Sequence, residues 1–487
     1  GQLQPSDPAP DSPRRLGSRA LRNTTLVLSA RVVSRLMAFV TVIVTLNNLG
    51  PQGFGEFQTV ASYTALITVL IDLGFNVLYV REAARNPTEI SRYLQNLVSV
   101  RLLLSLAALA VLAGALYGRG LGGLLLPGFL LMVLTSYSNL LRNTFYALQR
   151  LGWEVAAILL ESTLLLGLVV AGRYTHQGVG YFLGAYAASY GFSCVYFLVV
   201  LQALKLARIR WRLELDFVRR WLWSGLPFAF AFVLTILYFR IDVPLLNLLR
   251  SNTEVGWYGA AYKPFEALLF IPLTLLQVAF PVFSVLHQRA PDKLRAAINS
   301  FFKGLLLVGW PLTVGTFLLA PGLDRLLFLY PESAPALRIL ALAFVFAFVN
   351  NAFIGALNSI DRQVAFSWAA GISLIVNLGL NLVLIPLYGY LGASWATVLT
   401  EVALGAAGWV LTARYLGQVP VFALSWKVVL AGLVMGAAVY PLRDLQGFGL
   451  VGAVGLGAAV YAIAVVLLRA VERGEIDLAR QALWRDV

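Results

Sequence analysis

Apolar segments of about twenty residues, separated by short polar turns, follow one another along almost the whole chain. A helix needs roughly 20 apolar residues to cross the hydrocarbon core of a bilayer. The pattern therefore predicts an all-α integral membrane protein with about fourteen transmembrane helices. The predicted spans, numbered 1 to 14 in chain order, lie near 24–48, 57–80, 97–117, 122–147, 153–172, 179–204, 223–249, 256–285, 301–320, 336–358, 365–388, 392–413, 426–442 and 448–469.

The composition agrees with a membrane protein and excludes other classes. Of the 487 residues, 59% are hydrophobic and only 12% are charged, and the mean hydropathy is +0.79; soluble globular domains do not show such values. One cysteine and two histidines leave no disulfide framework and no credible metal site. The net charge of +14 would suggest nucleic acid for a soluble protein. Here we expect no nucleic-acid partner, because membrane proteins concentrate Lys and Arg in their cytoplasmic loops.

Basic residues are unevenly shared between the two sides of the membrane. Four segments on one side, which we call the basic side, carry most of them; they read REAARNPTEISRYLQN, KLARIRWRLELDFVRR, HQRAPDKLRAAINSFFK and RAVERGEIDLARQALWRDV. The connections on the opposite side carry at most one Arg each. The positive-inside rule predicts that the basic side is cytoplasmic and that both termini lie there.

The chain also contains an internal repeat. LGPQGFGEFQTVASY follows span 1, and RSNTEVGWYGAAYKPF follows span 7; the shared element is a polar turn, a glycine (Gly55, Gly256) and an aromatic residue two positions later (Phe57, Tyr258). A second pair, GLVVAGRYTHQGVGYFLGAYAASY and NLVLIPLYGYLGASWATVLTEV, links spans 5–6 to spans 11–12. Both halves have the same orientation, so we predict two six-helix lobes related by a pseudo-two-fold axis along the membrane normal.

This repeat sets the predicted domain organisation. Spans 13 and 14 remain as two extra C-terminal helices. The predicted units are a disordered cytoplasmic tail (1–22), an N-lobe (23–204), a basic cytoplasmic linker (205–222), a C-lobe (223–413), helices 13 and 14 (414–470) and a cytoplasmic tail (471–487).

Charged residues inside the spans are the strongest functional signal. Arg31 and Arg35 are four residues apart in span 1, so they share one helix face. Each costs roughly 3 kcal/mol inside a bilayer unless it faces protein or water. The pair therefore indicates an internal polar cavity and an anionic ligand. Estimated depths place Asp72 and Glu161 near Arg31, as one cluster in the basic half of the N-lobe.

A second predicted cluster lies in the opposite half of the C-lobe and contains Arg240, Asp242, Lys263 and Glu266. Our hypothesis is a two-station path, in which a diphosphate first meets Arg31 and Arg35 and then Arg240 and Lys263. The alternatives are structural. Arg31 with Asp72, and Arg240 with Asp242, are neutralised local pairs in that interpretation, and Lys263 extends to the membrane interface.

Other polar residues admit two interpretations each. Glu161 and Glu401 are deep enough to carry a coupling proton or to make a structural hydrogen bond. Four asparagines either contact sugar hydroxyls or join helices; they are Asn350, Asn351, Asn377 and Asn381. Four basic residues near span ends are expected to reach the interface; they are Arg101, Arg142, Lys303 and Arg338. Glu154, at a span start, is expected to be solvated.

Three segments carry a family resemblance. LGPQGFGEFQTVASYTALITVLIDLGF, RIDVPLLNLLRSNTEVGWYGAAYKPFEAL and LIPLYGYLGASWATVLTEV resemble, in order, the corresponding parts of Wzx-type polysaccharide-exporter flippases of the multidrug/oligosaccharidyl-lipid/polysaccharide (MOP) superfamily. The resemblance implies a bacterial inner-membrane transporter that flips undecaprenyl-diphosphate-linked saccharides to the periplasmic leaflet. Its expected partners are that lipid, membrane lipids and polysaccharide-assembly membrane proteins, and we expect a monomer.

Rival functions stay open at this stage. A lipid II flippase of the same superfamily uses the same headgroup chemistry, and a cation-coupled drug antiporter shares the superfamily. Cavity arginines favour an anionic cargo over a cationic drug. An enzyme is disfavoured, because no loop is long enough to build a catalytic site and no P-loop is present. A structural scaffold would leave the charges unexplained. No cofactor is expected besides a coupling proton or Na⁺.

Overall fold

The computed structural model describes residues 13–207, 210–327 and 329–471. This part of the chain is helical, with sixteen α-helices, three short 3₁₀ turns and no strand. The helices are α1 (Pro13–Asp72), α2 (Phe75–Arg85), α3 (Ile90–Tyr117), α4 (Leu125–Ala147), α5 (Leu151–Tyr174), α6 (Val179–Ala203), α7 (Leu215–Arg240), α8 (Asp242–Leu249), α9 (Asn252–Leu268), α10 (Phe270–Arg289), α11 (Pro291–Leu326), α12 (Ser333–Ser359), α13 (Gln363–Tyr388), α14 (Tyr390–Leu416), α15 (Val421–Val439) and α16 (Phe448–Leu467).

The described helices confirm a multi-pass all-α membrane protein. Twelve of them are long and apolar enough to cross a membrane, and the bent α7 makes a thirteenth. The first of the twelve is interrupted at Gly50, whose φ of 67° is non-helical and favours glycine. We call the two parts α1N (13–49) and α1C (51–72). Counting them separately gives the fourteen crossings that the sequence predicts. The helix also starts at Pro13, inside the segment 1–22 that was assigned to a disordered tail; residues 1–12 lie outside the described part.

Several predicted spans are broken rather than straight. Span 2 is divided at Leu73 and Gly74, which both have positive φ, so α1C ends at Asp72 and α2 continues after the break. Span 7 is divided between α7 and α8, and span 8 between α9 and α10. Hydropathy does not reveal these breaks, since the apolar run continues through them. Each break lies within a few residues of an intramembrane charge: Asp72, Arg240 with Asp242, and Glu266.

The two lobes have their own helix packing, but one large apolar core joins the N-lobe to Ala260, Leu329 and Tyr330 of the C-lobe. In the N-lobe, α4 packs on α6, and α1 packs on α5. In the C-lobe, α12 lies at the centre between α11 and α14 and is the most enclosed of the candidate spans. Helices α15 and α16 pack on each other and on α11, at the edge of the C-lobe.

The lobes close against each other on the opposite side through the two repeat glycines. A Cβ atom on Gly55 would overlap the carbonyl oxygen of Asn252, and one on Gly256 would overlap the carbonyl oxygen of Pro51. Each glycine thus meets the carbonyl group four residues before its counterpart, as a pseudo-two-fold axis requires. Only glycine permits so close an approach of two backbones. This contact is the centre of what we call the seal.

Hydrogen bonds between the lobes surround the seal. The Tyr330 hydroxyl donates to the Leu46 carbonyl at 2.5 Å, and the Tyr63 hydroxyl donates to Asn247 Oδ1 at 3.3 Å. On the basic side, α2 packs on α7, but α10 makes extensive contacts only with other C-lobe helices among the described elements. The lobes are therefore in close contact around the seal, and on the basic side they meet through α2 and α7.

Candidate functional site

Three charged side chains from α7 and α9 meet between the lobes. Lys263 Nζ donates to Glu266 Oε2 at 2.9 Å, and Arg240 Nη2 donates to Glu266 Oε1 at 3.4 Å. Arg240 and Glu266 keep 37% and 33% of their side chains exposed, although both lie in spanning helices. Intramembrane charges normally face a bundle interior or a water-filled cavity. We therefore assign these three residues to the wall of an internal cavity.

The N-lobe adds a further cation to the same cavity. Arg35 of α1N is exposed and lies within electrostatic range of the Glu266 carboxylate. Tyr190 of α6 is within range of both Arg35 and Arg240, so its phenol lies between the lobes. We call Arg35, Arg240, Lys263 and Glu266 the central cluster. A small pocket on its seal side is lined by both lobes, with Gln58 and Ser62 from α1C and with Arg240 and Lys263.

The central cluster corrects the two-station prediction. Arg35 was expected in a station separate from Arg240 and Lys263, but all three act on the one carboxylate of Glu266. The alternative in which Lys263 extends to the membrane interface is also wrong, since its side chain is only 15% exposed and bonds to Glu266.

Arg31 lies apart from the central cluster. It donates to the Tyr146 hydroxyl, and its Nη2 lies 3.7 Å from Glu154 Oε1. Tyr146 in turn donates to Glu154. Glu154 was expected to be solvated, but it is buried because this network encloses it. Arg31 and Arg35 therefore share a helix face but have different partners.

Asp72 has a different partner from the one predicted. Its Oδ1 lies 3.1 Å from Nη1 of Arg101, and both side chains are almost fully buried. Arg101 also donates to the Ser136 carbonyl at 2.6 Å and to Asn76 Oδ1 at 2.8 Å. The predicted pair of Asp72 with Arg31 is wrong, and so is the expectation that Arg101 reaches the interface. The pair lies where the break at Leu73 turns span 2, so it holds that break in place.

Glu161 was predicted to cluster with Arg31 and Asp72, but its ion-pair partner is Arg142. Arg142 Nη2 donates to Glu161 Oε2 at 2.7 Å, and Ser193 donates to the same oxygen. Arg142 was expected to reach the interface, but this bond holds it inside the N-lobe. Both groups act on Tyr190, which places the pair beside the central cavity.

Asp242 is buried among neutral groups of the C-lobe. It accepts hydrogen bonds from Tyr258 at 2.9 Å, Asn381 at 2.8 Å and Thr397 at 3.2 Å. Among the described residues no basic side chain forms an ion pair with it, so the predicted pair with Arg240 is wrong. Asn381 Oδ1 is buried there without a partner. The carboxylate is thus surrounded by two hydroxyl groups and an amide, with no basic partner among the described residues.

Glu401 forms a second buried carboxylate site in the same lobe. The Tyr238 hydroxyl donates to its Oε1 at 2.8 Å, and Asn350 Nδ2 donates to its Oε2 at 2.9 Å. No basic side chain of the described chain pairs with it. The bond from Tyr238 connects α7 to α14. Tyr238 lies two residues before Arg240 of the central cluster.

The four asparagines are buried, and their amides donate to protein groups: Asn351 to the Ala347 carbonyl, Asn377 to Thr400, and the other two to the buried carboxylates. Except for the Asn351 bond, which lies within one helix, these bonds fit the helix-joining interpretation, and the sugar-contact interpretation stays a prediction. Aromatic residues that sequence reasoning missed lie around the cluster; they are Tyr186, Tyr190 and Tyr262. Their spacing carried no signal in so apolar a chain.

The other two basic residues that were predicted to reach the interface have opposite outcomes. Lys303 is buried, so it does not reach the interface as expected. Arg338 is exposed at the start of α12, as expected for a residue near a span end.

A family model described as polysaccharide biosynthesis protein matches residues 20–287. The chain is similar to the probable flippase AglR of Haloferax volcanii, at 26% identity over 227 residues, which is 44% of this chain. The match spans only 46% of that relative.

Solved structures show the same fold. The lipid II flippase MurJ in an inward closed conformation superposes with a TM-score of 0.74 at 14% identity, covering 91% of this chain and 99% of that one. An inward-facing MATE multidrug transporter of the MOP superfamily superposes with a TM-score of 0.61 at 16% identity, covering 80% and 98%. At these identities the likeness shows a common architecture.

Proposed function

The chain belongs to the polysaccharide biosynthesis protein family, and from that premise we propose that it is a flippase for a saccharide lipid carrying a diphosphate. The cargo class is an undecaprenyl-diphosphate-linked oligosaccharide. It moves from the cytoplasmic leaflet, on the basic side, to the periplasmic leaflet of a bacterial inner membrane. Both termini are then cytoplasmic, and one chain forms the whole cavity.

The central cluster is the observation that carries this proposal. It contains three cations and one carboxylate, so it holds an excess of positive charge between the lobes. A drug antiporter with cationic cargo would need the reverse. Arg35 and Arg240 offer planar forks that bind phosphate oxygens bidentately, and Lys263 adds a point charge. Because these groups come from both lobes, a bound diphosphate would draw the lobes together.

Alternating access follows from the placement of the seal. The headgroup enters between α1N and α10 while the seal is closed. Rocking of the lobes then opens the Gly55–Gly256 contact and closes the basic side. The polyprenyl chain stays in lipid beside the gap, so only the charged headgroup and its sugars cross.

Energy coupling through a proton or Na⁺ is part of this proposal, and Asp242 is its site. A buried charge is costly unless it is paired, and Asp242 has only neutral partners among the described residues. Either cation would neutralise it. Asp242 lies two residues after Arg240, so its occupancy would act on the break between α7 and α8 and on the central cluster.

The test is translocation in proteoliposomes, with a fluorescent undecaprenyl-diphosphate oligosaccharide in one leaflet and a glycan-modifying probe outside. We expect Arg35→Ala and Arg240→Ala to reduce transport at least tenfold, because each removes charge-assisted bonds to phosphate. Arg240→Lys should restore transport only in part. Arg31→Ala should have a smaller effect, since Arg31 already pairs with Glu154.

Arg338→Ala is the matched control, because this arginine is exposed at the start of α12. Normal transport by both the Arg35 and Arg240 variants would refute the diphosphate role. Lipid II, offered in parallel, decides between two cargoes of the same headgroup chemistry. Uptake of a cationic dye without flipping of either lipid would assign the protein to the antiporter class.

A further inference from the structure

Glu266 is the only acidic member of the central cluster. Its two carboxylate oxygens are shared, one with Lys263 at 2.9 Å and one with Arg240 at 3.4 Å, and Arg35 acts on it from the other lobe. A diphosphate entering the cavity would seek the same three cations. Glu266 therefore stands where the anionic part of the cargo would bind.

Glu266 is bonded unevenly: its bond to Lys263 is short, at 2.9 Å, whereas its bond to Arg240 is longer than the arginine–carboxylate contacts of two N-lobe pairs. Arg142 and Glu161 lie 2.7 Å apart with side chains no more than 20% exposed, and Arg101 and Asp72 are buried. By contrast, the Arg240–Glu266 contact is 3.4 Å long, and about a third of each side chain is exposed. A partly hydrated, long ion pair contributes little net free energy, so it is readily exchanged. The other two pairs have the geometry of fixed structural pairs.

We propose that Glu266 is an exchangeable counter-ion, which the diphosphate displaces from Arg240 and Lys263 on binding and which replaces the diphosphate on release. This inference rests on the proposed function and adds a residue that sets specificity. An anion must outcompete a carboxylate to bind. A diphosphate has more oxygen atoms and more negative charge than a single carboxylate, so it can engage both cations together. Headgroups with one weakly charged group cannot, and they are rejected.

The exchange also makes release possible. Without Glu266, three cations would face the cargo with no competing anion, and binding would be tighter in both orientations of the lobes. Tight binding that is equal in both states does not drive a conformational change. With Glu266 present, the cations regain a partner when the cargo leaves.

The test is Glu266→Gln, which removes the charge and keeps the shape. Binding of inorganic pyrophosphate to the full-length detergent-purified protein would be measured by calorimetry. We expect the variant to bind about tenfold more tightly than the unmodified protein, a typical size for loss of one competing ion pair. It should also flip the lipid more slowly at saturating cargo, because release becomes slower.

Glu161→Gln is the control. It removes one negative charge beside the same cavity, as Glu266→Gln does, but it leaves Arg240 and Lys263 paired with Glu266. If Glu161→Gln tightens pyrophosphate binding as much as Glu266→Gln does, the tighter binding comes from the overall electrostatic field of the cavity, and the exchange is refuted. Unchanged or weaker binding by Glu266→Gln also refutes it, and means that Glu266 only orients its neighbours.

If Glu266→Gln does not fold, Glu266→Asp takes its place. Glu266→Asp keeps the charge but shortens its reach. We therefore expect it to bind pyrophosphate more tightly than the unmodified protein, but by less than the tenfold expected for Glu266→Gln; weaker binding would refute the exchange. Absence of pyrophosphate binding by the unmodified protein, together with absence of lipid flipping, would reject the proposed function itself. Binding and flipping by the unmodified protein without the Glu266 effect would reject this inference alone.

Discussion

The two lobes share a repeat but treat their buried carboxylates differently. In the N-lobe, Asp72 pairs with Arg101, and Glu161 pairs with Arg142. In the C-lobe, Asp242 and Glu401 have only hydroxyl and amide partners among the described residues. A carboxylate with a buried arginine is already neutralised. One without a cation remains costly until a proton or an ion arrives.

This difference assigns separate tasks to equivalent scaffolds. The N-lobe uses its buried pairs to fix helix geometry, above all at the break between α1C and α2. The C-lobe keeps unpaired carboxylates beside the broken helices α7 and α8, which flank the central cluster. At the seal, by contrast, the lobes are equivalent, because Gly55 and Gly256 make the same contact. The repeat thus persists where symmetry closes the path, and it diverges where coupling is needed.

The largest expected effect is on the stability of the N-lobe. Asp72→Asn leaves the Arg101 guanidinium buried without its carboxylate, and breaking a buried pair in this way costs about 3–5 kcal/mol. We expect a clear decrease in the thermal midpoint of the detergent-purified protein. The double variant Asp72→Asn with Arg101→Met should recover much of the lost thermal midpoint. An unchanged midpoint in the single variant would show that Asp72 does not hold the break.

Asp242→Asn should behave in the opposite way. It removes a charge that has no cation partner, so the lost hydrogen bonds are largely offset and the change in stability should be about 1 kcal/mol or less. Gradient-driven flipping should nevertheless be lost. The measurement is transport in proteoliposomes under an imposed proton or Na⁺ gradient, beside the thermal midpoint with and without Na⁺. Full coupling in the variant would move the coupling site away from Asp242.

The equivalence at the seal is tested with Gly55→Ala and Gly256→Ala. Each added Cβ overlaps a carbonyl oxygen of the other lobe, so either variant should favour the state that is open on the opposite side. Spin labels at Arg173→Cys and Glu332→Cys, in a Cys194→Ser background, would report longer distances between the lobes. Gly167→Ala is the control, because no atom lies within 4 Å of its added Cβ. Unequal effects of the two glycine variants would break the symmetry argument.

The smallest expected effect concerns the link between the lobes. Glu214 precedes α7 and accepts from Arg92 of α3 at 2.6 Å. That hydrogen bond lowers the pKa of Glu214 below its ordinary value of 4.5. The stabilisation is therefore present above that ordinary value and is lost as the pH falls through the lowered pKa. Because the pair is partly exposed, we expect about 1 kcal/mol or less. Unfolding between pH 7 and pH 3 should depend less on pH in Glu214→Gln.

Much of the fold was readable from the pattern of apolar residues. The number of crossings, the absence of strands in the described part and the glycine repeat follow from run lengths and turn residues. Gly55 and Gly256 could be matched because the repeat preserved their spacing. The sequence did not reveal the breaks at Leu73, between α7 and α8, and between α9 and α10, because the apolar runs cross them without interruption.

The site was readable only in part, and the reason is geometric. Sequence and the helical rise give the depth of Arg31, Asp72 or Arg240 along the membrane normal. They do not give the rotation of each helix or the neighbours it faces. Asp72 and Arg31 were therefore paired by depth, whereas the structure gives Asp72 to Arg101 of α3.

The sequence by itself determined that charges lie inside the membrane, because an apolar chain makes each of them visible and their cost demands partners. Only the tertiary structure decided which partners they have. It brought Arg35 from one lobe to Arg240, Lys263 and Glu266 from the other, and it left Asp242 buried without an ion-pair partner among the described residues. Apart from Lys263 and Glu266, which are three residues apart on one helix, these pairs join different helices. Spacing along a single helix does not encode contacts between helices.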